Sequence, residues 1–210
     1  MATPDLINIA LIRCGRTEWD TSGRVVGRVD LPLASEEANG LTDLVVSLEG
    51  TGLSSVLHGP DQCCIATAEA VARETGGKLK RSPDLADVGM GLWEGLRRQE
   101  LEEKFPSKFR AWTESPSDVS VPEGEPLDAA TDRLVSSIGR LIDKLRKTDP
   151  GVGIVLRPMS YELVSAWITG RPAIDVTWSD ESPRHEWHEV ARSRFQAWAR
   201  GTREGASVGG

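Results

Sequence analysis

Cysteine and histidine are scarce in this chain, with three of each among 210 residues. Three cysteines are too few for a disulfide scaffold, and an odd number leaves at least one thiol unpaired. That usage fits a reducing, cytoplasmic setting. Long apolar runs are missing too. Nothing approaches the roughly 18 consecutive apolar residues of a membrane-crossing helix, so no membrane association is expected. Positive charge is in the minority, with 25 Lys and Arg against 32 Asp and Glu, a net charge of −7. Nucleic-acid binding is therefore not expected, because it needs a basic face. The opening MATPDLINIALIRC has no basic residue ahead of its short apolar run, which argues against a secretory signal.

Hydrophobic residues make up 39% of the chain, and its length allows one sizeable core or two small ones. Leu6–Ile12 is a short, nearly continuous apolar run, and predicts a buried strand that ends in the loop Arg13-Cys14-Gly15-Arg16. Residues Trp19 to Pro32 read as loop. Ser35–Leu48 carries Leu41, Leu44, Val45 and Leu48 on one helical face, with Ser35 as a cap. Ser54–Leu57 and Leu79–Arg81 read as strands, and Cys63–Thr75 as a helix entered through Gly59-Pro60-Asp61. From Pro83 to Glu125 the chain is polar and irregular around one helix at Arg97–Lys104, and residues 84–125 read as an inserted lid or binding region. Ala129–Lys147 predicts a helix, Gly151–Leu156 a third buried strand and Tyr161–Trp167 another helix. Edge strands are expected at Ile174–Trp178 and Trp187–Val190, and residues 201–210 as a flexible tail. Strands alternating with helices imply an α/β fold, a three-layer α/β/α sandwich with a mostly parallel sheet, in one domain over residues 1–200. Ligands in such sheets bind beyond the carboxyl ends of the strands. Arg13–Arg16, His58–Cys63 and Arg157 all fall there.

Five blocks then carry a family resemblance. Leu11–Asp20 (LIRCGRTEWD) resembles the signature L-I-R-H-G-x-T-x-W-N of the histidine phosphatase superfamily, the phosphoglycerate mutase-like proteins. Gly23-Arg24, Gly27, Asp30 and Pro32-Leu33 match its continuation. Gly59-Pro60 through Thr67-Ala68-Glu69 resembles S-P-L-x-R-A-x-x-T-A-E, and Leu85 through Leu96 resembles L-x-E-x-x-x-G-x-W-E-G-L. Pro122-Glu123-Gly124-Glu125 resembles P-x-G-E, and the strand Gly153–Leu156 stands in place of V-x-V-S-H-G. The resemblance implies the phosphoglycerate mutase-like fold and an ancestry in covalent phosphoryl transfer. In that chemistry a histidine at the end of the first strand attacks phosphorus, two arginines and a second histidine hold the phosphoryl group, and a carboxyl group protonates the leaving oxygen.

Residue by residue, that equipment is mostly replaced. The nucleophile position holds Cys14, the second arginine position Cys63, the acid position Asp87 and the second histidine position Arg157; Arg13 alone is retained. Between Gly59 and Arg184 there is no histidine in any register. No family-type catalytic residue, cofactor or metal is therefore expected, and the chain reads as a catalytically degenerate member. One alternative is a rebuilt phosphatase, with Cys14 as a nucleophile whose pKa is lowered by nearby arginines and Asp87 as its acid. Another is binding without chemistry, either of a protein partner or of a phosphate or other anionic small molecule taken by Arg13, Arg16, His58 and Arg157; against the latter, Arg157 could pair with Asp87 and fill the pocket. Cys14 and Cys63 are expected to be near neighbours. They read as two buried thiols, with a disulfide, or a metal site sharing His58 and Asp87, as alternatives. Trp19 and Trp93 are placed at the pocket mouth, and the basic segment Arg192–Arg203 on a solvated helix face. The sequence does not set an oligomeric state.

Overall fold

In the computed structural model, which describes residues 5–171 and 183–200, the first apolar run forms strand β1 (Leu6–Arg13). β1 lies inside a five-stranded sheet with β2 (Ser55–His58), β3 (Lys78–Arg81), β4 (Val152–Leu156) and β5 (His185–Ala191), in the order β3-β2-β4-β1-β5. All pairings are parallel except β5 against β1. β4 returns late in the chain to lie between β1 and β2, so the carboxyl ends of all three strands meet at one rim.

Side chains alternate across the sheet. Ile7, Ile9 and Leu11 of β1 enter one core; Ala10, Ile12 and the following Cys14 enter the other. The first core is completed by α6 (Leu127–Ile142), α7 (Pro158–Thr169) and α8 (Arg192–Ala199), through Leu134, Ile138, Val164 and Phe195. The second is completed by α2 (Glu37–Ser47) and α3 (Gln62–Thr75), through Leu44, Ala68 and Val71. This is the α/β/α sandwich expected from the alternation of elements.

Several element ends differ from expectation. A short α1 (Glu18–Thr21) interrupts the segment read as loop, because Thr17 and Asp20 form a capping box. Ser35 does not cap α2; its hydroxyl bonds the Glu36 carboxylate at 3.3 Å. α7 starts at Pro158 rather than Tyr161, since proline at the first helical position has its φ already set. Residues 84–125 hold α4 (Arg98–Lys104) and an unexpected α5 (Pro106–Glu114), again opened by proline. α5 buries Phe109 and Trp112. Trp93 is not at a pocket mouth. It is fully buried, edge-on to Trp112 with ring centroids 5.4 Å apart. Trp19 lies over Gly95, where φ is +80° and a Cβ would approach the indole to 3.0 Å; only glycine suits that point.

The basic C-terminal segment is not simply a solvated face. Arg192 is buried and donates to the carbonyl of Ile142, the last residue of α6, and to that of Arg146 in the segment after it, both at 3.0 Å. Arg194 donates to the Ile168 and Trp167 carbonyls at the end of α7 and stacks on the Trp167 ring. The strand expected at Ile174–Trp178 and the tail at 201–210 lie outside the described residues. Among the described residues no helix is long and apolar enough to cross a membrane.

Candidate functional site

The rim where β1, β2 and β4 end is filled from within the chain. β1 delivers Cys14, whose amide donates to the Leu156 carbonyl at 2.8 Å and so fixes it beside the end of β4. The first turn of α3 delivers Cys63 and Cys64. Thr67 ties the two elements together: its hydroxyl accepts from the Gly15 amide at 3.0 Å and donates to the Cys63 carbonyl at 2.8 Å. The Cys14 and Cys63 sulfurs lie 3.7 Å apart, and all three thiol sulfurs lie within 4.8 Å of one another. All three cysteines are buried and free. The expected proximity of Cys14 and Cys63 is present; the third sulfur, Cys64, is an addition that sequence spacing did not reveal.

Arg157 follows β4 and is 2% exposed. Its Nη1 lies 3.1 Å from Cys63 Sγ and 3.9 Å from Cys14 Sγ. The same guanidinium faces Asp20 at 3.3 Å and Asp87 at 3.7 Å. Asp20 is aimed by α1: the Thr17 amide and hydroxyl both donate to its Oδ2, at 2.7 and 2.6 Å. Asp87 is aimed by α7, accepting from the Ser160 amide at 3.0 Å and hydroxyl at 2.8 Å. Asp20 escaped the sequence reading, yet the pattern Thr-x-x-Asp before a short helix was there to be seen.

The titration behaviour follows from burial. Asp87 is raised to about 6 by burial, which outweighs Arg157 and Ser160. Asp61, just before α3, is also raised to about 6, by burial and then by the nearby Asp87 charge. Among the thiols, Cys63 is pulled down: its cysteine neighbours can donate to its sulfur, and the Arg157 cation is closest to it. Cys14 is pushed up, with Cys63 as the main cause and burial adding to it. At Cys14, Cys63 and burial thus outweigh the pull of Arg157, whose guanidinium sits nearer Cys63.

The other expected site residues are elsewhere. β1 alternation sends Arg13 to the opposite face from Cys14, where it lies near Tyr161 of α7. The buried Arg13 Nε has no hydrogen-bond partner among the described residues. His58 is buried, its Nδ1 2.8 Å from the Gly59 carbonyl, and burial lowers its pKa. It joins no thiol or carboxylate of the cluster among the described residues. Arg16 is bonded to Glu37 at 2.6 Å, and Glu37 also takes Arg184 at 2.6 Å.

Burial alone would raise Glu37, but the bonds from Arg184 and Arg16 prevail and hold it at about 2 against an ordinary 4.5. A depressed carboxyl contributes stability that is complete above its unfolded pKa and is lost as pH falls through the folded one. Glu37 should therefore stabilise the fold by on the order of 2 kcal/mol at pH 7, after allowance for the partial exposure of Arg16. That contribution should disappear between about pH 5 and pH 2. Urea unfolding of wild type and Glu37→Gln at pH 7, 4 and 3 checks this: the two curves should converge toward low pH. Parallel curves would reject it.

A mostly parallel α/β/α sandwich in which the ends of β1, β2 and β4 meet at one rim is a phosphoglycerate mutase-like architecture. The chain belongs to the histidine phosphatase superfamily, branch 1, whose family model matches residues 9–202. It is 26% identical over 129 residues to phosphoserine phosphatase 1 of Hydrogenobacter thermophilus, a match covering 61% of each chain. It is 21% identical over 191 residues to a probable phosphoglycerate mutase of Escherichia fergusonii, covering 91% of this chain and 86% of that one. The fold matches a solved structure described as mycobacterial hydrolase 1 with a TM-score of 0.75, at 17% identity over 88% of this chain and 91% of that one. A mycobacterial glucosyl-3-phosphoglycerate phosphatase matches with a TM-score of 0.74, at 17% identity over 88% and 89% of the two chains.

Proposed function

We propose that this chain is a non-catalytic member of the superfamily, whose former phosphoryl site is occupied by its own side chains. The observation that carries this reading is Arg157: buried, paired with Asp20 and Asp87, and lying against Cys63 and Cys14. In the family signature a histidine stands at each of positions 14 and 157. Without an imidazole at the end of β1 no phosphohistidine can form. The cation that could have offset this loss at position 157 is neutralised internally.

The burial of Cys14, and a thiol pushed up rather than down, speak against a cysteine nucleophile in its place. Asp87 has the raised pKa of a general acid, but its carboxylate is already taken by Ser160 and Arg157. Anion binding at the rim has little to work with, since Arg16 and Arg157 are ion-paired and Arg13 lies on the opposite face of β1 from Cys14.

The test is hydrolysis of p-nitrophenyl phosphate by wild type and Cys14→Ser. Both should match the buffer blank. Release that disappears in Cys14→Ser would overturn the reading in favour of a cysteine phosphatase. Release that survives in Cys14→Ser would equally overturn it.

A further inference from the structure

We infer that Cys14, Cys63 and Cys64 form a binding site for a soft monovalent metal ion, Cu(I), in three-fold thiolate coordination. The inference stands on geometry and does not depend on whether the neighbouring rim retains phosphatase activity. Three ligands around one metal at about 2.3 Å place the sulfurs about 4.0 Å apart. Here Cys14 and Cys63 are 3.7 Å apart, and no pair exceeds 4.8 Å. Small sulfur movements close a trigonal site.

The sulfurs are also held by backbone rather than by chance contact. Cys14 is pinned to β4 through its amide, and the Gly15–Thr67–Cys63 hydrogen-bond chain fixes the strand end against α3. A site built on a strand end and a helix turn is better ordered than one on loops.

The donor set selects the metal class. Thiolates favour soft ions such as Cu(I). Among the described residues no His, Asp or Glu donor atom joins the three sulfurs. A tetrahedral zinc site lacks its fourth protein ligand here, and hard ions lack oxygen. The remaining side of the Cys14–Cys63 pair is taken by Arg157, a cation that cannot ligate. Its Nη1 instead donates toward the sulfurs of Cys63 and Cys14 from outside, the part that hydrogen-bonding neighbours of the ligands play around metals. Each S–H replaced by S–Cu gives up its proton to solvent, and no change of oxidation state is involved. Three small buried hydrophobes would pack as well as three cysteines; they would bind no metal.

The experiment is an anaerobic titration of the reduced protein with Cu(I) against the chelator bicinchoninate, with zinc as a parallel arm. One Cu(I) per chain should be retained, and copper loading should protect all three thiols from alkylation. Cys63→Ser and Cys64→Ala should each weaken retention at least about a hundredfold, with helix content by circular dichroism unchanged. If a variant does not fold, alkylation of the wild type in mild urea with and without copper decides the question alone: the thiols are buried in both states, so slower modification with copper supports the site and equal modification overturns it. Failure to retain copper, retention that both folded variants share, or unprotected thiols in the loaded protein would each overturn the proposal. Tighter binding of zinc than of copper would overturn the assignment of a three-coordinate soft-ion site.

Discussion

Arg157→Leu should destabilise the protein by about 3–5 kcal/mol at pH 8, the usual cost of removing one partner from a buried ion cluster. Arg157 is 2% exposed and faces Asp20 and Asp87, and Asp87 itself is buried. Leucine fills much of the space but leaves both carboxylates without their cation. The loss should depend on pH, and its sign can be worked out. Asp87 already titrates at about 6 with Arg157 beside it, against an ordinary 3.8. Without the cation its folded pKa rises further, so the folded state holds a proton that the unfolded state releases. Stability then falls as pH climbs above about 4, and goes on falling to a higher pH than in the wild type. At pH 5 the variant should recover part of its deficit, because Asp87 is then protonated. Adding Asp87→Asn to Arg157→Leu should recover part of it at pH 8 as well. Urea unfolding of the three proteins at pH 5 and 8 measures this. A loss below about 1 kcal/mol that does not vary with pH would mean that the guanidinium is solvated, as surface ion pairs are.

The triple variant Cys14→His, Cys63→Arg, Arg157→His should gain p-nitrophenyl phosphate hydrolysis at least about a thousandfold above the parent. A single well-placed donor to a developing anion is typically worth about 10²–10³, and this variant restores a nucleophile and two donors together. The structure gives the exchange a reason to fold. Arg157 Nη1 and Cys63 Sγ are 3.1 Å apart, so moving arginine from 157 to 63 keeps one guanidinium in the same small space as Asp20 and Asp87. Thr67 and the Leu156 carbonyl hold the backbone at both ends of the site and need no change. Turnover is read beside circular dichroism and the single variant Cys14→His, which should stay near the blank. A folded but inert triple variant would show that the frame has diverged along with its side chains, and would weaken the claim that only the site was emptied.

The fold was largely legible because its strands are short apolar runs and its helices carry apolar stripes. α5 was hidden by its own composition, since PSKFRAWTE is polar apart from Phe109, Ala111 and Trp112 and begins with a proline. The rim residues Cys14, Cys63 and Arg157 could be named from their place at strand ends, and the family resemblance added Asp87. Their partners could not. Cys64 joins the cluster because the first turn of α3 turns two consecutive residues toward the strand end, a fact of helix placement rather than spacing. Arg13 and Cys14 look equivalent in sequence and lie on opposite faces, since neighbouring residues at a strand end point apart. His58, named for its place at a strand end, spends its ring on the adjacent Gly59 carbonyl.

The two arginines that open α8 have a consequence for how the molecule comes apart. Arg192 holds the last carbonyl of α6 and the Arg146 carbonyl just beyond it, and Arg194 holds the Trp167 and Ile168 carbonyls of α7, so one short helix near the end of the described chain ties down the ends of two others at once. Fraying of α8 exposes orphaned carbonyls on both. Helix ends normally open independently and first, but here three of them are bound into a single unit. Amide exchange in the final turns of α6 and α7 is therefore expected to follow α8, as one cooperative opening rather than three.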